Sequence, residues 1–95
     1  MYAVIFRATL KKLDQEYSQL AQRMRELALN EYGCIEFIAN SEGDQELAIS
    51  YWPDKESIRA WKNNPEHLAA QQKGKTLWYQ DYQVEIVEVL HKYQG

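Results

Sequence analysis

Ninety-five residues, 45% of them hydrophobic and 26% charged, match the size of one globular domain, and no Ser/Pro-rich linker or shift of composition divides residues 1–95. The net charge of −3 is spread along the chain as 11 basic and 14 acidic residues with no basic run, which argues against nucleic acid as a partner. No apolar stretch approaches the roughly 20 residues of a membrane span, and Met1 to Arg7 is too short and strand-like for a secretory signal, so the chain reads as cytoplasmic, with no membrane partner.

Tyr2 to Leu10 is rich in β-branched and aromatic residues and lacks a breaker, which predicts a strand. From Leu13 the period changes. Leu13, Tyr17, Leu20, Met24, Leu27 and Ala28 recur at three and four, with Gln15, Glu16, Gln19, Gln22, Arg23 and Glu26 on the other side, as in an amphipathic helix. Asp14 is its expected N-cap and Gly33 its stop. Two short strands follow, Cys34 to Asn40 and Glu46 to Trp52, joined by a Ser-Glu-Gly-Asp-Gln loop of about five residues with hairpin chemistry. The single cysteine, Cys34, has no Cys or His at metal spacing and reads as a small packing residue; no metal site is expected.

Asp54 caps a short helix over Lys55 to Trp61. Asn63, Asn64 and Pro65 interrupt it, and Asn64 as N-cap with Pro65 at the first helical position starts a second segment that runs to about Trp78, with Gly74 its weak point. Tyr82 to Leu90 is the last strand, apolar at Val84 and Ile86 and again at Val87 and Val89 on the opposite face, and so expected to be dry on both sides. The order predicts an α+β, ferredoxin-like βαββαβ fold with two helices on one face of a four-stranded antiparallel sheet. The other face is also apolar: Tyr2, Val4 and Phe6 oppose Ala3 and Ile5, and Leu47, Ile49 and Tyr51 oppose Ala48 and Trp52. A solvated face should alternate cleanly, so a second copy packed face to face is the expected cover, with the chain's own C-terminal residues as the alternative.

The chain has no Gly-rich phosphate loop, paired-Cys metal motif or Ser-His-Asp grammar. Its aromatic density stands out instead, three Trp, seven Tyr and two Phe, many of them from Tyr51 onward. His67 and Gln71, four apart, share one helix face, Trp61 can lean into the same space, and Trp78 follows later in the segment. Apolar walls with a few convergent polar groups are what a small-molecule pocket needs. His91 reads as an exposed tail residue. Arg7 reads as a rim residue, or as the partner of Glu36 or Glu85 if it faces inward.

Ile49-Ser50-Tyr51-Trp52, Ile58-Arg59-Ala60-Trp61, Asn64-Pro65-Glu66-His67-Leu68-Ala69-Ala70-Gln71, Gly74, Trp78-Tyr79 and Tyr82 together resemble the antibiotic biosynthesis monooxygenase (ABM) family of dimeric α+β barrel proteins. The resemblance spans nearly the whole chain and implies a homodimer whose sheets close into a barrel. That superfamily includes cofactor-independent quinone-forming monooxygenases, haem-degrading enzymes and isomerase-like relatives. The haem-degrading branch shares the Trp at position 61, but has Asn where this chain has Arg7 and its proximal His where this chain has Gln71, which argues against haem ligation. The resemblance implies a monooxygenase working without metal or flavin on a small phenol- or quinol-like substrate. His67 would be the base, Trp61, Trp78 and Tyr82 would hold the ring, and Gln71 or Tyr51 would orient an oxygen atom. The alternative is a noncatalytic homodimer of the same fold that binds a small molecule.

Overall fold

The breaker-free N-terminal run forms β1 (Tyr2–Leu10), followed by α1 (Gln15–Glu31), β2 (Glu36–Glu42), β3 (Gln45–Trp52), α2 (Lys55–Lys62), α3 (Pro65–Lys73), a π-helical turn (Gly74–Trp78) and β4 (Tyr79–Glu88). The computed structural model describes residues 1–12 and 14–95; Leu13, expected to open the apolar stripe of the first helix, lies outside the described residues. No helix among them is long and apolar enough to cross a membrane.

Each helix starts where its cap residue predicts. Asp14 Oδ1 accepts the Tyr17 N–H at 2.8 Å, Asp54 Oδ1 the Ser57 N–H at 2.8 Å, and Asn64 Oδ1 the N–H groups of Glu66 and His67 at 2.8 and 3.4 Å. A cap of this kind contributes about 1 kcal/mol. The Asn64 side chain also donates to the Tyr32 hydroxyl at 2.9 Å, tying the start of α3 to the end of α1. Gly33, at φ 78°, turns the chain out of α1 so that the Cys34 N–H reaches Ala28 O at 3.0 Å.

The strands lie in the order β2-β3-β1-β4, every neighbouring pair antiparallel, which is the ferredoxin-like arrangement. Register sorts the side chains by parity. Tyr2, Val4, Phe6 and Ala8 pair with Trp52, Ser50, Ala48 and Glu46 on the helix side. There Val4 and Trp52 pack with Met24, Leu27 and Ala28 of α1, with Ile58 and Trp61 of α2, and with Cys34, while Leu10, Tyr17 and Trp78 form a second cluster. The buried Trp52 indole N–H is satisfied by Ser50 Oγ at 2.8 Å. The opposite, open face carries a row of Ile38, Ile49 and Ile5 across three strands. Arg7 lies exposed on that face and donates to Gln83 Oε1 at 2.9 Å, so neither Glu36 nor Glu85 is its partner.

Several boundaries differ from the sequence reading: β2 begins at Glu36, not Cys34, and the segment opened by Asn64 and Pro65 is α-helical only to Lys73, where the π-helical turn takes over. The hairpin loop is two residues, not five, because Glu42 pairs directly with Gln45 and Gly43 supplies the positive φ of 60° that a tight turn needs at its first position. The polar residues Ser41, Glu42 and Gln45 therefore belong to the ladder. The last strand begins at Tyr79, not Tyr82, since Tyr79 pairs with Leu10 as soon as the π turn ends at Trp78. It is also not dry: β4 is the sheet edge, and Tyr82, Val84 and Ile86 on its helix side remain 45%, 41% and 47% exposed.

Beyond β4 the tail crosses the open face. Val89 N–H bonds to Met1 O at 2.9 Å, and the Lys92 ammonium sits 4.7 Å from the Tyr51 ring centroid and 3.4 Å from Glu36 Oε1. His91 stacks on Tyr93 in the exposed tail, and Leu90 and Tyr93 are themselves 82% and 84% exposed.

Candidate active site

Trp61 organises the helix side of the sheet. It is buried, its Nε1–H donates to Met24 O at 3.1 Å, and its ring centroid lies 5.1 Å from Trp52 and 6.2 Å from Phe37. After the break at Asn63-Asn64-Pro65, the first turn of α3 sets His67 edge-on to this indole, centroids 4.3 Å apart at 78°. One turn later Gln71 places its Nε2 3.1 Å from His67 Nδ1. The pair joins a neutral imidazole to an amide whose oxygen and nitrogen exchange by a half rotation. With Oε1 inward, Nδ1–H donates to the amide and Nε2 presents its lone pair.

Burial holds His67 neutral. Helped by the nearby Lys62 ammonium, and against an opposing hydrogen bond within its own backbone, it pushes the imidazole down to about 4.

His67, Ala70, Gln71 and Gly74 are the less exposed residues of this segment along with Lys73, and their spacing of three, four and seven from His67 makes one stripe turned toward the sheet. Yet α3 fully buries none of its side chains. It is fastened sideways to α1 by the Arg23–Glu66 and Lys73–Glu16 ion pairs, both at 2.8 Å, and stands off from β4. On the helix side of β4, Val84 and Ile86 are left exposed, as are Leu68 of α3 and Leu77 of the π-helical turn. Between α2 and β4 lies a groove of about 280 Å³ lined by Lys55, Ile58, Arg59, Lys62, Asn63 and Ile86. At the start of β4 Tyr79 packs between Phe6, Tyr82 and Tyr17 at centroid distances of 5.4, 5.8 and 6.1 Å. Burial raises both tyrosine phenols, Tyr17 further beside Tyr79 and Glu46, so each stays a protonated donor. Gly74 is required here: a Cβ on it would overlap the Tyr79 ring.

The six residues singled out from the sequence are thus divided. Trp61, His67 and Gln71 come together, and Tyr82 lies on the same side of the sheet, beside Tyr79. Trp78 does not join them: it is 2% exposed within the second core cluster, edge-on to Tyr17 at 5.2 Å, with its Nε1–H 3.4 Å from Asp14 Oδ2. Tyr51 lies on the open face, because its register opposite Ala3 gives it the parity opposite to Trp52. The sequence reading missed Phe6, Tyr79 and the cations of α2. A signal for Phe6 was its shared parity with Val4; for Tyr79 it was its place beside Trp78 in the stretch that carries the family resemblance.

Comparison with known proteins agrees with this architecture. SnoaB from Streptomyces nogalater, described as a cofactor-independent oxygenase, superposes with a TM-score of 0.81 over 99% of this chain and 97% of its own at 14% identity. Rv0793 from Mycobacterium tuberculosis does so with a TM-score of 0.79 over 98% of each chain at 15% identity. At such identities these show a shared fold. YqjZ, an uncharacterized protein of Bacillus subtilis (strain 168), is 34% identical over 90 residues, 93% of this chain and 78% of its own. The profile of the antibiotic biosynthesis monooxygenase family matches residues 1–73, the stretch that carries Trp61, His67 and Gln71, and the chain belongs to that family.

Proposed function

We propose that residues 1–95 form one cytoplasmic monooxygenase domain that acts, without metal or flavin, on a small phenol- or quinol-like aromatic bound in a cleft between α3 and β4. The observation that carries this reading is the neutral His67 imidazole, held by Gln71 and set against Trp61, with Val84 and Ile86 exposed on the same side of the sheet. Membership of the ABM family supports it, as does the fold shared with a cofactor-independent oxygenase.

In this reading the ring lies over Val84 and Ile86, Tyr82 flanks it, and the substrate hydroxyl donates to His67 Nε2. The proton passes to the imidazole, and the phenolate gives one electron to dioxygen. Superoxide and phenoxyl radical recombine at a ring carbon para to the oxygen, and the resulting peroxide takes the proton back from the His67 imidazolium to form a hydroperoxide. Loss of water, with the hydrogen of that carbon, breaks the O–O bond and leaves a quinone. One oxygen atom enters the ring and the other becomes water, with all four electrons supplied by the substrate.

The depressed imidazole narrows the substrate. Moving a proton from an ordinary phenol near 10 to a base near 4 is uphill by about 8 kcal/mol. A phenol acidified by a conjugated ring carbonyl reduces that cost by several kcal/mol, so polycyclic phenols bearing such carbonyls are the favoured class.

The working unit of the proposal is a homodimer closed over the open face, where the Ile38–Ile49–Ile5 row and the exposed Leu90 and Tyr93 supply apolar surface. Oxygen-electrode assays of purified protein against phenols and quinols of graded acidity test the activity. Uptake should favour the acidified members and fall at least about 100-fold in His67→Ala, the scale of a lost general base. Turnover unchanged in that variant removes His67 from its role. Ring-fluorescence changes on ligand addition without oxygen uptake by any compound would make the chain a binding protein instead.

A further inference from the structure

The groove between α2 and β4 is cationic in an acidic chain. Lys55, Arg59 and Lys62 recur at four and three, so they share one face of α2, and all three line the groove. Of 11 basic residues in a chain of net charge −3, three converge on one concavity. None of the four ion pairs among the described residues engages them. The acids on the elements that frame the groove are Glu56 on α2, after its N-cap Asp54, and Asp81, Glu85 and Glu88 on β4, of which Glu88 shares the face of Ile86; none pairs with these cations within 4.0 Å. Lys55 rests instead over the Tyr2 ring, 5.4 Å from its centroid. Between the charges the surface is apolar, with Ile58 buried and Ile86 half exposed. An apolar floor under a fork of guanidinium and ammonium groups suits a flat hydrophobic ligand that ends in an anion.

We propose that this groove is the anion-recognition end of the cleft, so that the aromatic substrate carries a carboxylate or equivalent anionic group that Arg59, Lys62 and Lys55 bind while the ring extends toward His67. This deepens the reading of the cleft as the substrate site and rests on it. Lys62 bridges the two ends, since its charge is felt by the His67 imidazole. The arrangement selects against neutral aromatics of the same shape, which leave the cations without a counter-charge.

The test compares two probes of equal shape, 2-naphthoate and 2-naphthamide, in amide-detected NMR titrations of the whole protein at low ionic strength. The carboxylate should bind about 10-fold tighter than the amide, the scale of a few half-exposed charge contacts, and the preference should shrink toward parity in concentrated salt. Its shifts should centre on residues 55–63 and Ile86. Arg59→Gln with Lys62→Gln should abolish the preference, and the charge-keeping pair Arg59→Lys with Lys62→Arg should retain it. Equal binding of the two probes overturns the proposal, as does a preference that survives the double Gln variant or shifts confined to the open face around Ile38 and Ile49. The outcome is separable from the oxygenase reading: charge-selective binding without oxygen uptake retires the chemistry and keeps the anion site, and oxygen uptake with charge-blind binding does the reverse.

Discussion

The neutral His67 predicts how stability depends on pH. Its imidazole titrates at about 4 in the folded chain against 6.5 for an unperturbed histidine. Because the folded value is depressed, the unfolded chain binds the proton first as pH falls, so stability is full above about 6.5 and is lost progressively toward about 4. Between about pH 7 and about pH 5 the linkage integral comes to about 2 kcal/mol, and the residual exposure of the ring brings the expected loss to between about 1 and 2 kcal/mol. That window lies above the range of the carboxyls of Asp14, Asp54 and Glu66, which hydrogen bonds from the Tyr17 N–H, the Ser57 N–H and Arg23 hold below their ordinary values. Urea unfolding followed by tryptophan fluorescence at the two pH values measures the loss, and His67→Gln should flatten it. A slope of the same size in His67→Gln, or a His67 ring that titrates near its ordinary value by NMR, would refute the reasoning. Turnover carries the same signature: the acid limb of kcat/KM should fall at about 4 and not at the usual imidazole value.

Three further outcomes follow from packing. Trp61→Ala should cost about 3 to 5 kcal/mol in urea unfolding and should let His67 titrate closer to its ordinary value, because the indole both fills the core and shields the imidazole. Gly74→Ala should cost about 1 to 3 kcal/mol by forcing the Tyr79 ring aside; with Tyr79→Ser added the penalties should not sum, and full additivity would contradict the close approach. Ile49→Glu, at the centre of the open-face row, should halve the mass of the proposed dimer in light scattering while the far-UV spectrum is kept; a chain that is monomeric before the change would remove the dimer.

What could be read from the sequence was local. The first strand, the caps Asp14, Asp54 and Asn64, and the helical break at Pro65 are set by side-chain chemistry within a few residues, and each lies where the residues predict. The pairing of His67 with Gln71 follows from one helical turn, and the lean of Trp61 toward them from the break between two helices. The π turn was not legible, because it arises from a tertiary fit: the chain widens at Gly74 to let the Tyr79 ring press on the backbone while Trp78 points into the core. Tyr51 and Trp78 were grouped with His67 as aromatic neighbours in sequence. A strand sends adjacent residues to opposite faces, and a buried indole with its own acceptor is committed to the core, so proximity along the chain did not become proximity in space.

That parity also organises the proposed function. In β1 the even residues Val4 and Phe6 belong to the core and the proposed cleft, and the odd residues Ala3 and Ile5 to the face offered to a second copy; in β4 Val84 and Ile86 stand back to back with Glu85 and Val87. The cleft floor and the proposed interface are two sides of one backbone layer. Strand β4 is held only along one edge, by β1, and in the isolated protomer it is exposed on both faces. A strand so placed is paired by β1 alone, and α3 is fastened by its ion pairs to α1 instead. Covering the open face would therefore firm the floor on which the ring is proposed to lie without adding a contact to the substrate.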